Sequence, residues 1–372
     1  MKIGFLRLGL PIELDLDTAS VNTLGTEIRK ALLLSWLKKG FDVTVYTPFK
    51  EKDFVWVRKQ EQFKNLNYEP LLLPKDEGVL FIEMGVSNTT YTYSIGKFEK
   101  SYVERCFECI AAFEGLVVYY QHGVIPFPVE KRETKSENPL NLANLHKRYD
   151  LFKNKQWLIL HHFINEEGFK KEYSQYNNVN AKFKFIPLCY GDSDPWFEVK
   201  PNPPFDVLFI GSQWDSASKS AGQERFEEIA KFYDTSLYRG YVVGKWEQEV
   251  VKKFKYCKYL GQLGKHGDAY RLWNNSYACV WTTSSKVKKL GLIPTRPLMV
   301  MRSGAVCLAD STIFGVEKFI DKKFIVSTSE EVKRVLDELK SMSIEERDKL
   351  RREQLSKFPK WDDLNWNEIL RW

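Results

Sequence analysis

Two series of alternating strand and helix signals, separated by a proline-rich stretch, restrict this chain more than any other feature of its sequence. Residues 187–204 hold five prolines, one glycine and three acidic residues, the composition of a connector rather than of a regular element. Ahead of it, an apolar strand over 3–8 leads through a loop into a helix from about Leu24. Ile28, Leu32 and Trp36 recur every four residues there, Lys38 and Lys39 sit in the last turn, and Gly40 follows as a C-cap. A second strand spans 42–46, and strand, helix, strand at this spacing is a βαβ unit with parallel pairing. Strands over 79–83, 116–120, 157–160 and 183–186 and a helix over 102–113 extend the series, while residues 129–155, rich in charge, read as a surface excursion.

The second series has the same grammar. Strands are predicted over 206–210, 241–243, 278–281, 305–308 and 323–326. Helices are predicted over 223–232, 270–274 and 296–301 and from Ser329 onward. At 372 residues the chain exceeds the size at which one core usually divides. The expected fold class is therefore α/β, with Rossmann-like domains at 1–190 and 200–344 facing each other across a cleft. Ligands of such folds bind at the carboxyl ends of the strands. The tail, 345–372, reads as helical, carries Trp361, Trp366 and Trp372, and is expected to pack back onto the first domain.

Composition excludes several classes. With 43% hydrophobic and 28% charged residues the chain is neither disordered nor fibrous. The opening Met1-Lys-Ile-Gly-Phe has no signal-peptide pattern, and no run reaches the ~18 apolar residues of a membrane helix. The six scattered cysteines, most in apolar runs, suit buried thiols in a reducing compartment, so a cytoplasmic monomer without membrane contact is expected. A net charge of +7 permits phosphate-rich partners without requiring them.

Three segments could carry chemistry. Phe209-Ile-Gly211-Ser212 ends the first strand of the second series, where glycine lets backbone approach a phosphate, with Lys219 and Arg225 following near a helix start. An ordinary strand-to-helix turn would leave the same trace, and a full dinucleotide fingerprint is absent. Arg296 opens a helix with Pro297 in its first turn, a position suited to a diphosphate, although a lone arginine beside a cap is common. His122 follows a buried strand in Tyr119-Tyr-Gln-His-Gly, where a general base would sit, although a lone histidine serves structure more often than catalysis. Asp192-Ser-Asp194, Cys106-Phe-Glu-Cys109 and His161-His162 lack the context of metal ligands, so no metal site is expected from the sequence, while a divalent ion at the donor is left open.

Taken together, these segments resemble the phage DNA β-glucosyltransferase family and, more distantly, other GT-B glycosyltransferases. The likeness lies in Met1-Lys-Ile with Thr26-Glu27, in residues 118–127 ending Pro126-Phe127, in Gly211-Ser212 with Gly222-Gln-Glu-Arg225, in residues 259–263, and in residues 295–308. It implies a GT-B fold whose last helix crosses to the first domain. It also implies a nucleotide-sugar donor, UDP-glucose by preference, held by Gly211, Ser212, Lys219, Arg225 and Arg296, with Leu263 beside the uracil. Two departures stand out. His122 occupies the place of the family's catalytic aspartate, and Met299 that of the glutamate that binds the ribose.

The reading is a transfer of sugar to a hydroxyl of a 5-hydroxymethylpyrimidine in double-stranded phage DNA, the base leaving the stack to reach the cleft. His122 would take the proton, and Lys131, Arg132, Lys147 and Arg148 would meet phosphates, although a solvated charged loop has the same composition. A saccharide or small-molecule acceptor is the alternative. A module that only binds nucleotide is a third.

Overall fold

Every strand pairing within the two sheets of the computed structural model is parallel. The structure describes residues 1–6, 26–47, 64–65, 67–70, 78–83, 110, 112–121, 156–173, 181–192, 194–212 and 219–371. The first sheet contains β1 (Lys2–Leu6), β2 (Asp42–Thr47), β3 (Asn67–Pro70), β4 (Val79–Glu83), β5 (Leu116–Gln121), β6 (Trp157–His161) and β7 (Ala181–Phe185). Its order is β3-β2-β1-β4-β5-β6-β7. The second contains β8 (Phe205–Ile210), β9 (Gly240–Val243), β10 (Lys258–Tyr259), β11 (Ser276–Trp281), β12 (Val306–Asp310) and β13 (Ile325–Val326), in the order β10-β9-β8-β11-β12-β13. Each order reverses once, between β1 and β4 and between β8 and β11. Such reversals leave a crevice at the strands' carboxyl ends, because the flanking connections depart to opposite sides.

Helices cover both series: α1 (Thr26–Lys38), α2 (Glu166–Tyr173), α3 (Lys219–Tyr233), α4 (Gln248–Val251), α5 (His266–Trp273), α6 (Ser285–Leu290), α7 (Arg296–Arg302), α8 (Ser329–Ser341), α9 (Ile344–Leu355) and α10 (Trp366–Ile369). All five residues of β6 and of β12 are buried, as strands covered on both faces must be. Among the described residues no helix is long and apolar enough to cross a membrane.

The expected elements are present wherever they fall on described residues, with instructive shifts. α3 begins at Lys219, four residues before the expected start at 223, because its first turn is polar and lacks the apolar period. The first half of the predicted strand 323–326 belongs to a 3-10 turn, Lys322–Phe324, leaving Ile325–Val326 as strand. Residues 187–204 are not a loose tether. The Arg302 guanidinium, buried, donates to the carbonyls of Asp194 and Pro195, and that of Arg347 donates to those of Lys200 and Pro201. Asp194 accepts from the Gly191 amide and Asp192 pairs with Lys360, so both carboxylates of the discounted motif are used structurally.

The tail is broken rather than one helix. α9 opens on a capping box of Ser343 and Glu346, then Pro359 ends the helical path. There the chain pairs with the connector: the Tyr190 amide donates to the Pro359 carbonyl, and the Trp361 amide to that of Tyr190. It then reaches the first sheet's helices as expected. Trp366 lies 5.5 Å from Trp36 and stacks on Trp361, while Ser35 donates to the Trp361 carbonyl.

His161, the last residue of β6, sits fully buried among Phe163, Phe169 and Phe185, with the Phe169 ring 4.2 Å away. Burial lowers its imidazole to about 4, with Glu166 raising it and Lys170 lowering it. A folded-state value below the unfolded one means that the unfolded chain takes the proton first. The neutral ring therefore contributes stability above pH 6.5 that is lost as pH falls towards 4, roughly 3 kcal/mol. Denaturation at pH 7 and pH 4.5 should show this loss shrinking in His161→Phe; an equal loss in both proteins would contradict it.

Candidate active site

The second sheet's crevice is built from three strand ends. β8 stops at Ile210, and Gly211 and Ser212 carry the chain into the crevice, half-buried. β9 stops at Val243, and Gly244 lies against them. It has φ +143°, and a Cβ there would stand 2.2 Å from the Gly211 carbonyl oxygen and 3.1 Å from the Ser212 nitrogen. Only glycine allows both the backbone angle and this approach. The two loops are then sewn together. The Gly211 amide donates to Val243, the Trp246 indole donates to the Gly211 carbonyl at 2.8 Å, and the Lys245 amide donates to Ser212 Oγ at 3.3 Å. Gly244→Ala is expected to cost about 1–3 kcal/mol, read by chemical denaturation; an unchanged midpoint would contradict the packing.

Two guanidinium groups converge beside this backbone. Arg225 on α3 and Arg296 at the start of α7 lie 5.0 Å and 4.7 Å from the centroid of the buried Phe209 ring. A Cβ on Gly211 would come within 3.0 Å of Arg296 Nη2, so the guanidinium lies directly over the glycine. The Thr282 carbonyl, just past β11, accepts from Arg296 Nη1 at 3.3 Å. Burial, then the Arg296 charge, lowers the Arg225 guanidinium to about 9. Two like charges held together in a partly dry crevice repel, and an anion between or beside them would relieve that repulsion. The geometry therefore suits an anionic ligand at the reversal of strand order.

A second charge cluster joins α3, α6 and β12. Lys288 of α6 pairs with Asp310, at the end of β12, at 2.6 Å, and with Glu228 of α3. Thr282 Oγ1 donates to Asp310 at 3.1 Å, which also accepts from Thr312. Glu224, next to Arg225, accepts from the amide and hydroxyl of Ser285 at the start of α6. α3, which bears Arg225, is thus tied to α6 and β12, and Arg296 joins the same network through the Thr282 carbonyl.

Of the residues singled out from sequence, Gly211, Ser212, Arg225 and Arg296 come together here. Lys219 opens α3, with its side chain outside the described residues. Met299 lies one turn after Arg296 on the same helix face and is buried in the core. Leu263 is half-buried on the chain after β10, which reaches the site through Gly261, whose carbonyl accepts from the Gly244 amide. His122, Lys131, Arg132, Lys147 and Arg148 lie outside the described residues, as do Cys106 and Cys109. Gly244, Trp246 and Thr282 were not singled out. A glycine directly after the apolar Tyr241-Val-Val, as at Gly211, was the available signal for the first.

No family model matches the chain, and no curated protein matches it in sequence. Solved structures do match in fold. The T4 phage β-glucosyltransferase in complex with its UDP-glucose substrate superposes with a TM-score of 0.67 at 15% identity, covering 100% of both chains. An α-glucosyltransferase in complex with UDP and a 13-mer DNA containing an HMU base gives 0.57 at 13% identity, again covering 100% of each. Sucrose-phosphate synthase from Thermosynechococcus elongatus gives 0.53 at 12% identity, over 99% of this chain and 96% of that one. The chain has the fold of the GT-B glycosyltransferases: two Rossmann-like sheets with the C-terminal segment returned to the first. A further structure of the T4 enzyme contains UDP and Mn2+. Among the described residues of this chain, no group of three or more His, Cys, Asp or Glu is placed to hold a metal ion.

Proposed function

We propose that this protein is a glycosyltransferase that moves a sugar from a nucleoside diphosphate donor, UDP-glucose in the first instance, to a hydroxyl group. The observation that carries the reading is the convergence of Arg225 and Arg296 on Phe209, with Arg296 over Gly211 at the strand-order reversal. A leaving nucleoside diphosphate gathers negative charge as the glycosidic bond breaks. Two fixed guanidinium groups stabilise that charge without reorganising at the moment of reaction. The half-buried Gly211–Ser212 backbone supplies a surface that a phosphate can approach closely. Leu263 would lie beside the base, and with Met299 in place of a carboxylate the ribose hydroxyls must find other partners. Residues 200–344 would form the donor-holding domain, and residues 1–190 with 345–372 the acceptor-holding one.

The acceptor we favour is a 5-hydroxymethylpyrimidine in double-stranded DNA. Its support is the pair of DNA-modifying phage and DNA-bound glucosyltransferases among the structural neighbours. His122 would take the hydroxyl proton, giving single displacement with inversion, and Lys131, Arg132, Lys147 and Arg148 would hold phosphates near an extruded base. A saccharide or small-molecule acceptor is the second reading, favoured by the sucrose-phosphate synthase match. Incubation with radiolabelled UDP-glucose and either hydroxymethylated or unmodified duplex decides between them. Label on the modified duplex alone is the expected result; label on neither duplex, with glucose transferred instead to an added saccharide and UDP released, would overturn the DNA reading.

A further inference from the structure

The segment that delivers Arg296 is tied to the opposite lobe. Residues 282–295 leave β11 at Thr282, whose carbonyl holds the Arg296 guanidinium, and return at Thr295. Midway, the chain forms an antiparallel bridge with the loop that follows β6, centred on Phe163 and Leu292. The Ile164 amide donates to the Gly291 carbonyl at 3.0 Å, the Asn165 amide to that of Leu290 at 3.1 Å, and the Ile293 amide to that of His162 at 3.3 Å. Asn165 adds a side-chain bond, its Nδ2 donating to the Lys289 carbonyl at 3.1 Å. The last of these bonded positions lies three residues before Arg296.

The bridge is closely fitted. Gly291 has φ +62°, and a Cβ there would stand 3.1 Å from Ile164 Cβ and 2.5 Å from the Phe314 carbonyl oxygen. α6, just before it, is fixed to α3 through Glu224 and Glu228, beside Arg225. Both arginines are therefore mechanically continuous with a strand-like contact made by the first lobe. A shift of the loop 162–165 has to move Leu290–Ile293 or break four hydrogen bonds.

We propose that Asn165 is a positioning residue for the anion site: through this bridge the first lobe sets where Arg296 sits over Gly211. The inference rests on reading Arg225 and Arg296 as a diphosphate grip. Asn165 also caps α2, its Oδ1 accepting from the Gly168 amide at 2.9 Å, and this separates two roles. Asn165→Asp keeps an acceptor at the cap but removes the donor to Lys289, whereas Asn165→Ala loses both. Coupling is reciprocal, so a diphosphate that prefers the positioned arginine must also strengthen the bridge.

The test uses UDP with the full chain. Calorimetric titration of the unsubstituted protein, Asn165→Asp and Arg296→Met is paired with melting of each without ligand. Hydrogen exchange is followed at the Ile164, Asn165 and Ile293 amides with and without UDP. Asn165→Asp is expected to bind UDP about tenfold more weakly while its unliganded melting temperature stays within about a degree. UDP should slow exchange at all three amides in the unsubstituted protein, a measurement that needs no variant. Unchanged affinity in Asn165→Asp, or bridge amides indifferent to UDP, overturns the proposal while leaving the grip intact. An unsubstituted protein that fails to bind UDP overturns the grip, and the proposal with it.

Discussion

Arg296→Met is expected to lower kcat/KM for sugar transfer about a thousandfold, some 4 kcal/mol of transition-state stabilisation. The guanidinium lies over Gly211 and against the Phe209 ring, where a departing diphosphate would develop charge. Methionine is of similar length and apolar, so the ring contact survives while the charge and its forked donors do not. Arg296→Lys should fall between the two, because an ammonium keeps the charge but cannot present two parallel donors. Arg225 is a poorer probe: it is almost wholly buried, so its removal also disturbs folding. Steady-state kinetics with varied UDP-glucose measure the effect. A variant within threefold of the unsubstituted protein would show that Arg296 does not hold a departing diphosphate.

Trp36→Ala is expected to cost about 3–5 kcal/mol. The indole is fully buried on α1, edge-on to Phe81 at 4.9 Å and near Phe5 and Trp366. Two of those three rings come from the first sheet, and the third from the last residues of the chain. Trp366→Ala should therefore destabilise the protein although it lies more than 300 residues away in sequence. The double variant should lose less than the sum of the singles, by about 0.5–3 kcal/mol, because each single already empties the shared contact. Urea denaturation of the four proteins gives the cycle. Strict additivity would mean that the tail does not brace the first sheet.

The same two regions show what the sequence made legible. Trp36 was readable because Ile28, Leu32 and Trp36 repeat at helical spacing before Gly40, and period is a local property. Gly211, Ser212 and Arg296 were readable because glycine after an apolar strand and proline inside a helix start have local causes. Other features were not. Asn67–Pro70 pairs as an edge strand with no apolar run to announce it, and Ser285–Leu290 is a six-residue helix held by Glu224, Glu228 and Asp310 from elsewhere in the chain. Gly244 gains its meaning only from its packing against Gly211, which leaves no room for a Cβ, and Asn165 only from a bridge to residues more than 120 positions away. The proline-rich connector was legible only in part. Its composition marks a break between elements, but the Arg302 and Arg347 guanidinium groups that hold its carbonyls lie more than 100 positions further along the chain, where no local pattern could announce them.

A crystal structure of the protein soaked with UDP tests the central claim most directly. Diphosphate oxygens within about 3 Å of the Arg296 guanidinium and the Gly211–Ser212 backbone, with Arg225 adjacent, are the expected result. UDP bound at any other surface, with Arg296 still resting on Phe209 and no anion beside it, would contradict the account.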